Sequence, residues 1–174
     1  MADDTSSSAA EPREAISRLL RLHLGHRLAM TNSNSMKIKD YKIRIKTKGL
    51  CDIHDLTPEA EKRIAESGVE NGQATFFVAG STAGLTTIEY EPGLVKDLKE
   101  LFERLVPQNQ YYHHEEAWHD GNGFAHVRAS LLKPSLTVPV VNGKPTLGTW
   151  QQVVLIDFDN RSRNREIILQ VMGE

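Results

Sequence analysis

Three stretches of this chain carry residue types that can do chemistry. Gly80-Ser81-Thr82-Ala83-Gly84 sets two hydroxyls among small residues. Small residues let backbone N–H groups approach an anion, and hydroxyls add hydrogen bonds. No Gly-Lys-Ser/Thr follows, so this is not a Walker loop, and the stretch also suits a tight strand connection. Glu89 and Asp97 are the second group. Such acids hold cations or move protons. Glu89 sits among apolar neighbours, which suits a buried role. Asp97 falls in the first turns of a helix, where the dipole favours an acid in any case. The third group is His113-His114-Glu115-Glu116, then His119-Asp120-Gly121-Asn122-Gly123, then His126. Imidazoles and carboxylates this dense can assemble a divalent-metal site, although the spacing is not that of a zinc motif such as H-E-x-x-H. A solvated polar loop is the alternative. His126 opens the apolar run Val127 to Leu132, which can fix it pointing inward. His113, Glu115, Glu116 and His119 read as loop surface. Further on, Trp150 reads as core, and Gln151 at the start of an apolar run needs a partner, because burying an unpaired amide is costly. Arg161, Arg163 and Arg165 share one face of an extended chain and read as solvated rather than phosphate-binding.

The elements that must position these residues are visible in the hydrophobic pattern. Tyr41, Ile43, Ile45 and Thr47 alternate with Lys42, Arg44, Lys46 and Lys48, the mark of a half-exposed strand. Thr57-Pro58-Glu59 predicts a helix start capped by the Thr57 hydroxyl, and Gly68 predicts its end. Ala74 to Val78 and Leu85 to Tyr90 read as strands. Leu94, Val95, Leu98, Leu101, Phe102 and Leu105 fall at helical spacing up to Pro107. Residues 108–123 read as a long loop. Asn142-Gly143 predicts a type I′ hairpin, and Val153 to Ile156 a strand buried on both faces. Ile167, Leu169 and Val171 supply the last strand. The pattern gives an α+β fold of about seven strands and two or three helices, since strands follow one another near the C-terminal end.

The chain has 174 residues, with 21 basic and 23 acidic side chains and a net charge of −2. That balance excludes a strongly basic nucleic-acid binder. No apolar run reaches the roughly 18 residues of a membrane span. One cysteine, Cys51, cannot form an intrachain disulfide, so a reduced, cytoplasmic location is expected. Residues 1–35 read as a poorly ordered extension in which Ile16, Leu19, Leu20, Leu24 and Leu28 could form one helical stripe. Residues 36–174 read as a single domain.

Taken in order, Ser81-Thr82-Ala83-Gly84 with Glu89, Glu91-Pro92-Gly93 with Asp97, Tyr112 with His114, Asp120-Gly121-Asn122 leading to His126, Ser135 to Pro139, and Leu147-Gly148-Thr149-Trp150-Gln151 resemble the YjbQ-like family, sometimes labelled secondary thiamine-phosphate synthase. The resemblance covers about residues 36–174. It implies strands packed as a small sandwich and a homotrimer, with the polar residues in one cleft near a subunit boundary. It implies a thiamine-phosphate synthase-type transferase acting on small phosphorylated substrates, a metal-dependent hydrolase and a non-catalytic metal- or anion-binding trimer being the alternatives. In that reading His114, Asp120 and His126 hold a divalent metal (Zn, Mg or Mn). Ser81, Thr82, Gly84 and Trp150 bind the substrate or its anion, and Glu89, Asp120 and Gln151 act in catalysis. Many family members carry a histidine where this chain has Gly80.

Overall fold

The computed structural model describes residues 35–174. The extension assigned to residues 1–35, with its Ile16 to Leu28 stripe, lies outside them except for Ser35. Eight strands and four helices follow one another among the described residues. They are β1 (Lys37–Thr47), β2 (Asp52–Asp55), α1 (Thr57–Ser67), β3 (Asn71–Val78), β4 (Ala83–Ile88), α2 (Pro92–Leu105), α3 (Glu115–Trp118), α4 (Gly123–Leu131), β5 (Ser135–Val141), β6 (Lys144–Pro145), β7 (Gln152–Asp157) and β8 (Arg163–Gly173). The α+β class is as read, with one more strand and one more helix than the upper counts. The two helices the pattern did not place are the single turn α3, inside the stretch read as loop, and α4, whose apolar run Val127 to Leu132 was read only as fixing His126. Glu115 and Glu116 in the first turn of α3 are too short a signal for periodicity to show.

The strands form two antiparallel sheets, β1-β8-β3-β5-β6 and β2-β7-β4. β7 is the central strand of the smaller sheet, with the larger sheet on one face and α2 and α4 on the other, and its sequence shows why. Val153 and Leu155 enter the core under the larger sheet, with Ile43, Phe76, Leu169 and Val171. Val154 and Ile156 point the other way, to a second core with Phe102, Phe124 and Phe158 beneath α2 and α4. Each such side chain contributes about 1.5–3 kcal/mol on burial. The apolar run Val153 to Ile156 is therefore a strand buried on both faces.

Turn chemistry sets the remaining connections. Asn142 and Gly143 have φ of 52° and 70°, as the type I′ reading requires. Thr57 does not cap α1. Its backbone N–H donates to Asp55 Oδ1, and its hydroxyl accepts from the Val153 backbone N–H, tying α1 to β7. Glu91 caps α2 instead, accepting from the backbone N–H groups of Gly93 and Leu94. Register then places the functional groups. Ala83 pairs with Asp157, so β4 begins where β7 ends, and the Phe158 N–H donates to the Thr82 carbonyl. The Gly80–Thr82 loop is thereby fixed to the rim of the smaller sheet.

Candidate functional site

That rim is built on a buried charge network. Asp157 and Asp159 point the same way from alternating positions just after the apolar run of β7, and both are fully buried. Arg165 of β8, itself only 9% exposed, donates from Nε and Nη2 to the two Asp157 oxygens at 2.7 and 2.6 Å. Its Nη2 also donates to the Thr82 hydroxyl at 2.7 Å, and that hydroxyl donates to Asp159 Oδ2 at 2.8 Å. Arg163 Nε donates to the same Asp159 oxygen at 2.8 Å, and Thr47 Oγ1 donates to Asp157 at 2.6 Å. Burial works against ionisation of Asp159, but hydrogen bonds from Arg163 and Thr82 and the Arg165 charge outweigh it and hold the carboxyl below its usual range. The reading of Arg163 and Arg165 as solvated is corrected here. The alternation that puts Arg163 and Arg165 on one face of β8 meets Asp157 at the end of β7, in the other sheet, and Asp159 just beyond it; of the three arginines Arg161 alone stays exposed.

The histidines stand above this network. Glu115 was read as surface, but its carboxylate accepts from the Gly121 N–H at 2.7 Å and the Gly123 N–H at 3.1 Å, folding the loop back on itself. Those bonds, the one to Gly121 foremost, hold its carboxyl below the usual value. Gly123 opens α4, and a Cβ there would lie 2.5 Å from the Tyr112 Cβ and 3.2 Å from the His114 Cβ. Glycine therefore lets His114 reach His126, and their ring centroids are 4.2 Å apart with a 33° tilt. His114 Nε2 is 3.7 Å from Asp120 Oδ1. Burial, then the charge of His114, pushes the His126 imidazole below its ordinary value of 6.5. His126 is thus held neutral near pH 7, free to accept a hydrogen bond or proton.

A cleft of about 490 Å³ opens beside this pair, lined by Ser81, Thr82, Asp120, His126, Arg163 and Arg165 among others. Of the residues singled out from sequence, Ser81, Thr82, Asp120 and His126 meet here, with His114 against His126 on an adjoining hollow. The Thr82 hydroxyl is consumed by the network beneath. Gly84 is buried against Leu132 rather than open to the cleft. Glu89, Trp150 and Gln151 lie elsewhere. The register runs from Ala83↔Asp157 to Ile88↔Gln152, which puts them about 17 Å away at the opposite end of the smaller sheet. Glu89 is exposed, not buried. Trp150 is 71% exposed, not core. Gln151 is exposed as well, donating to the Thr87 hydroxyl and accepting from the Gly148 N–H. Asn122, Asp157 and Asp159 were not singled out as candidates. The paired Asp-x-Asp and Arg-x-Arg spacings were the available signal.

The expected metal ligands His114, Asp120 and His126 gather in one place. Among the described residues, however, no group of three or more His, Cys, Asp or Glu side chains is arranged to hold a metal ion. No helix there is long and apolar enough to cross a membrane.

Comparison with known proteins gives one family. Its profile, described as UPF0047 protein YjbQ-like, matches residues 41–174. A UPF0047 protein of Methanocaldococcus jannaschii is 36% identical over 135 residues, covering 77% of this chain and 94% of that one. A UPF0047 protein of Synechocystis is 37% identical over 125 residues, covering 70% and 84%. The crystal structure of a Sulfolobus solfataricus protein, described as of unknown function, superposes with a TM-score of 0.76 at 31% identity, covering 80% of this chain and 100% of that one. These matches overturn the expected thiamine-phosphate synthase-type transferase. The family and relatives found carry the UPF0047 description, and thiamine-phosphate synthase is a different family. The fold, the matched span and the relatives agree, and the chain belongs to the YjbQ-like UPF0047 protein family.

Proposed function

We propose that the cleft beside His126 binds a small phosphorylated metabolite. The observation that carries this reading is the stacked His114–His126 pair at the edge of a polar cleft that also presents Ser81 and Arg163. A neutral His126 accepts a hydrogen bond from a ligand hydroxyl or a protonated phosphate, while arginine donates to phosphate oxygens. The test is a thermal-shift titration of the full chain with a simple phosphomonoester, phenyl phosphate. Wild type should gain stability saturably, and His126→Ala should lose most of the gain. An equal gain in both proteins, or none in wild type, rejects the reading. Zn²⁺, Mg²⁺ and Mn²⁺ titrated alone test the proposal that the histidine pair also takes a divalent cation.

We propose a homotrimer as the working assembly. The outer face of the larger sheet carries Ile38 and Phe77, 57% and 44% exposed, and a second copy covering them would remove apolar surface from water.

A further inference from the structure

Two side chains at the floor of the cleft are more than nine-tenths buried, yet each keeps a nitrogen without a hydrogen bond among the described residues. Asn122 is 3% exposed. Its Oδ1 accepts from the Asn160 backbone N–H at 3.0 Å, which fixes the amide orientation and leaves Nδ2 as the free donor. Arg165 uses Nε and Nη2 on Asp157, Asp159 and Thr82, leaving Nη1. No fully buried side-chain nitrogen or oxygen among the described residues lacks a partner, so both free nitrogens reach open space. Both residues line the same cleft.

Gly80 is what leaves that space open. Its φ is +135°, a conformation side chains rarely adopt, and a Cβ there would sit 3.2 Å from Arg165 Nη1. We propose that Asn122 Nδ2 and Arg165 Nη1, uncovered by Gly80, form an oxyanion subsite that takes the phosphoryl group of the ligand, and that Gly80 decides whether the subsite is open. This deepens, and rests on, the phosphorylated-metabolite reading of the cleft. The two donors suit an oxyanion because both are N–H groups that make no hydrogen bond among the described residues. They are also pre-positioned, since Asp157 and Asp159 hold the guanidinium and Asn160 holds the amide. Arg163 and Arg165 share the cleft lining with three carboxylates; Asp159 is paired with both arginines and Glu166 with Lys42 and Arg44, so Asp120, 3.7 Å from His114 Nε2, is the acid that a bound anion faces. With the histidines at the edge and the subsite at the floor, the rest of the ligand would extend past His126.

The experiment is a titration of the full chain with inorganic phosphate, followed by the side-chain ¹⁵N signals of Asn122 and Arg165 and by the ring signals of His114 and His126. Wild type should show saturable shifts at Asn122 and Arg165. Gly80→Ala adds a methyl group at the gap and should weaken phosphate at least about tenfold. Should Gly80→Ala not fold, Asn122→Asp carries the same test. It keeps the acceptor for Asn160, replaces the free donor with an oxygen, and should abolish the Arg165 shift. Saturable shifts at the histidines with none at Asn122 or Arg165 would overturn the subsite and leave the cleft reading standing. No saturable shift at any of the four would overturn both.

Discussion

Arg165 and His126 are where single atoms matter most. Arg165 is the counter-charge of two fully buried carboxylates. Arg165→Ala leaves Asp157 and Asp159 to Arg163 and two threonines, and breaking such a buried pair costs about 3–5 kcal/mol. Urea denaturation should show that loss as a lowered midpoint with an unchanged m-value. His126 gives the pH dependence. Its folded-state pKa lies below 6.5, with burial the main cause. The unfolded chain therefore binds more protons in the window below 6.5, so stability is present above about pH 6.5 and falls as the pH drops through the folded pKa. His126→Gln removes the titration, and its melting temperature should fall less steeply between neutral pH and pH 5. A variant curve parallel to wild type would assign that slope to other groups.

At the scale of elements, the turn before β2 is the unusual piece. Gly49, Leu50 and Cys51 all have positive φ, at 79°, 54° and 64°. A non-glycine residue in that region costs about 1–2 kcal/mol, and glycine gives back about 0.5–1 in chain entropy. Leu50 is half exposed and packs little, so Leu50→Gly should leave stability unchanged or raise it by about 0.5 kcal/mol in thermal denaturation. At any ordinary strand or helix position the same change would be destabilising. Much of this scale was legible in the sequence. The alternation in β1, the apolar run of β7, Asn142-Gly143 and the helical spacing of α2 are local signals, and each corresponds to what the fold uses. The site was legible only in part. The histidine loop and the Ser81 loop announced themselves by composition. The network that supports them did not, because Arg165 and Asp157 acquire meaning only when β8 and β7 are brought together by the fold. Glu89, Trp150 and Gln151 are grouped with the histidines by the family resemblance, but a strand separates its two ends by its own length.

For the whole molecule, the larger sheet sets the expectation. Its outer face mixes polar pairs such as Thr75 and Thr137 with Phe77, Ile168 and Ile38. If three copies close on that face, light scattering should give a mass of three chains for wild type. Phe77→Asp, a change at a 44% exposed position that spares the core, should give one. A monomeric wild type at micromolar concentration would remove the trimer proposal.

The strand order β1-β8-β3 has a consequence for how the molecule comes into being. β8 joins β1, with Lys37 opposite Gly173, so the pairing closes nearly the entire described chain. During synthesis β1 and β3 emerge early and wait, each with an open edge, for a strand that is made after all the others. Such long-range closure is slow, on the order of milliseconds to seconds for β-rich topologies. The delay reaches the cleft, because β8 also carries Arg165. Until it docks, Asp157 and Asp159 cannot enter the interior as ions without a large desolvation penalty. The smaller sheet is therefore expected to mature only when β8 arrives, and pulse-labelled hydrogen exchange during refolding should show amides of β4, β7 and β8 gaining protection in one phase. Protection of β4 and β7 well before β8 would mean that the two acids can be buried unpaired. Otherwise the cleft is the last part of the molecule to exist, and a nascent chain stalled before β8 has neither the larger sheet nor the charge network beneath the cleft.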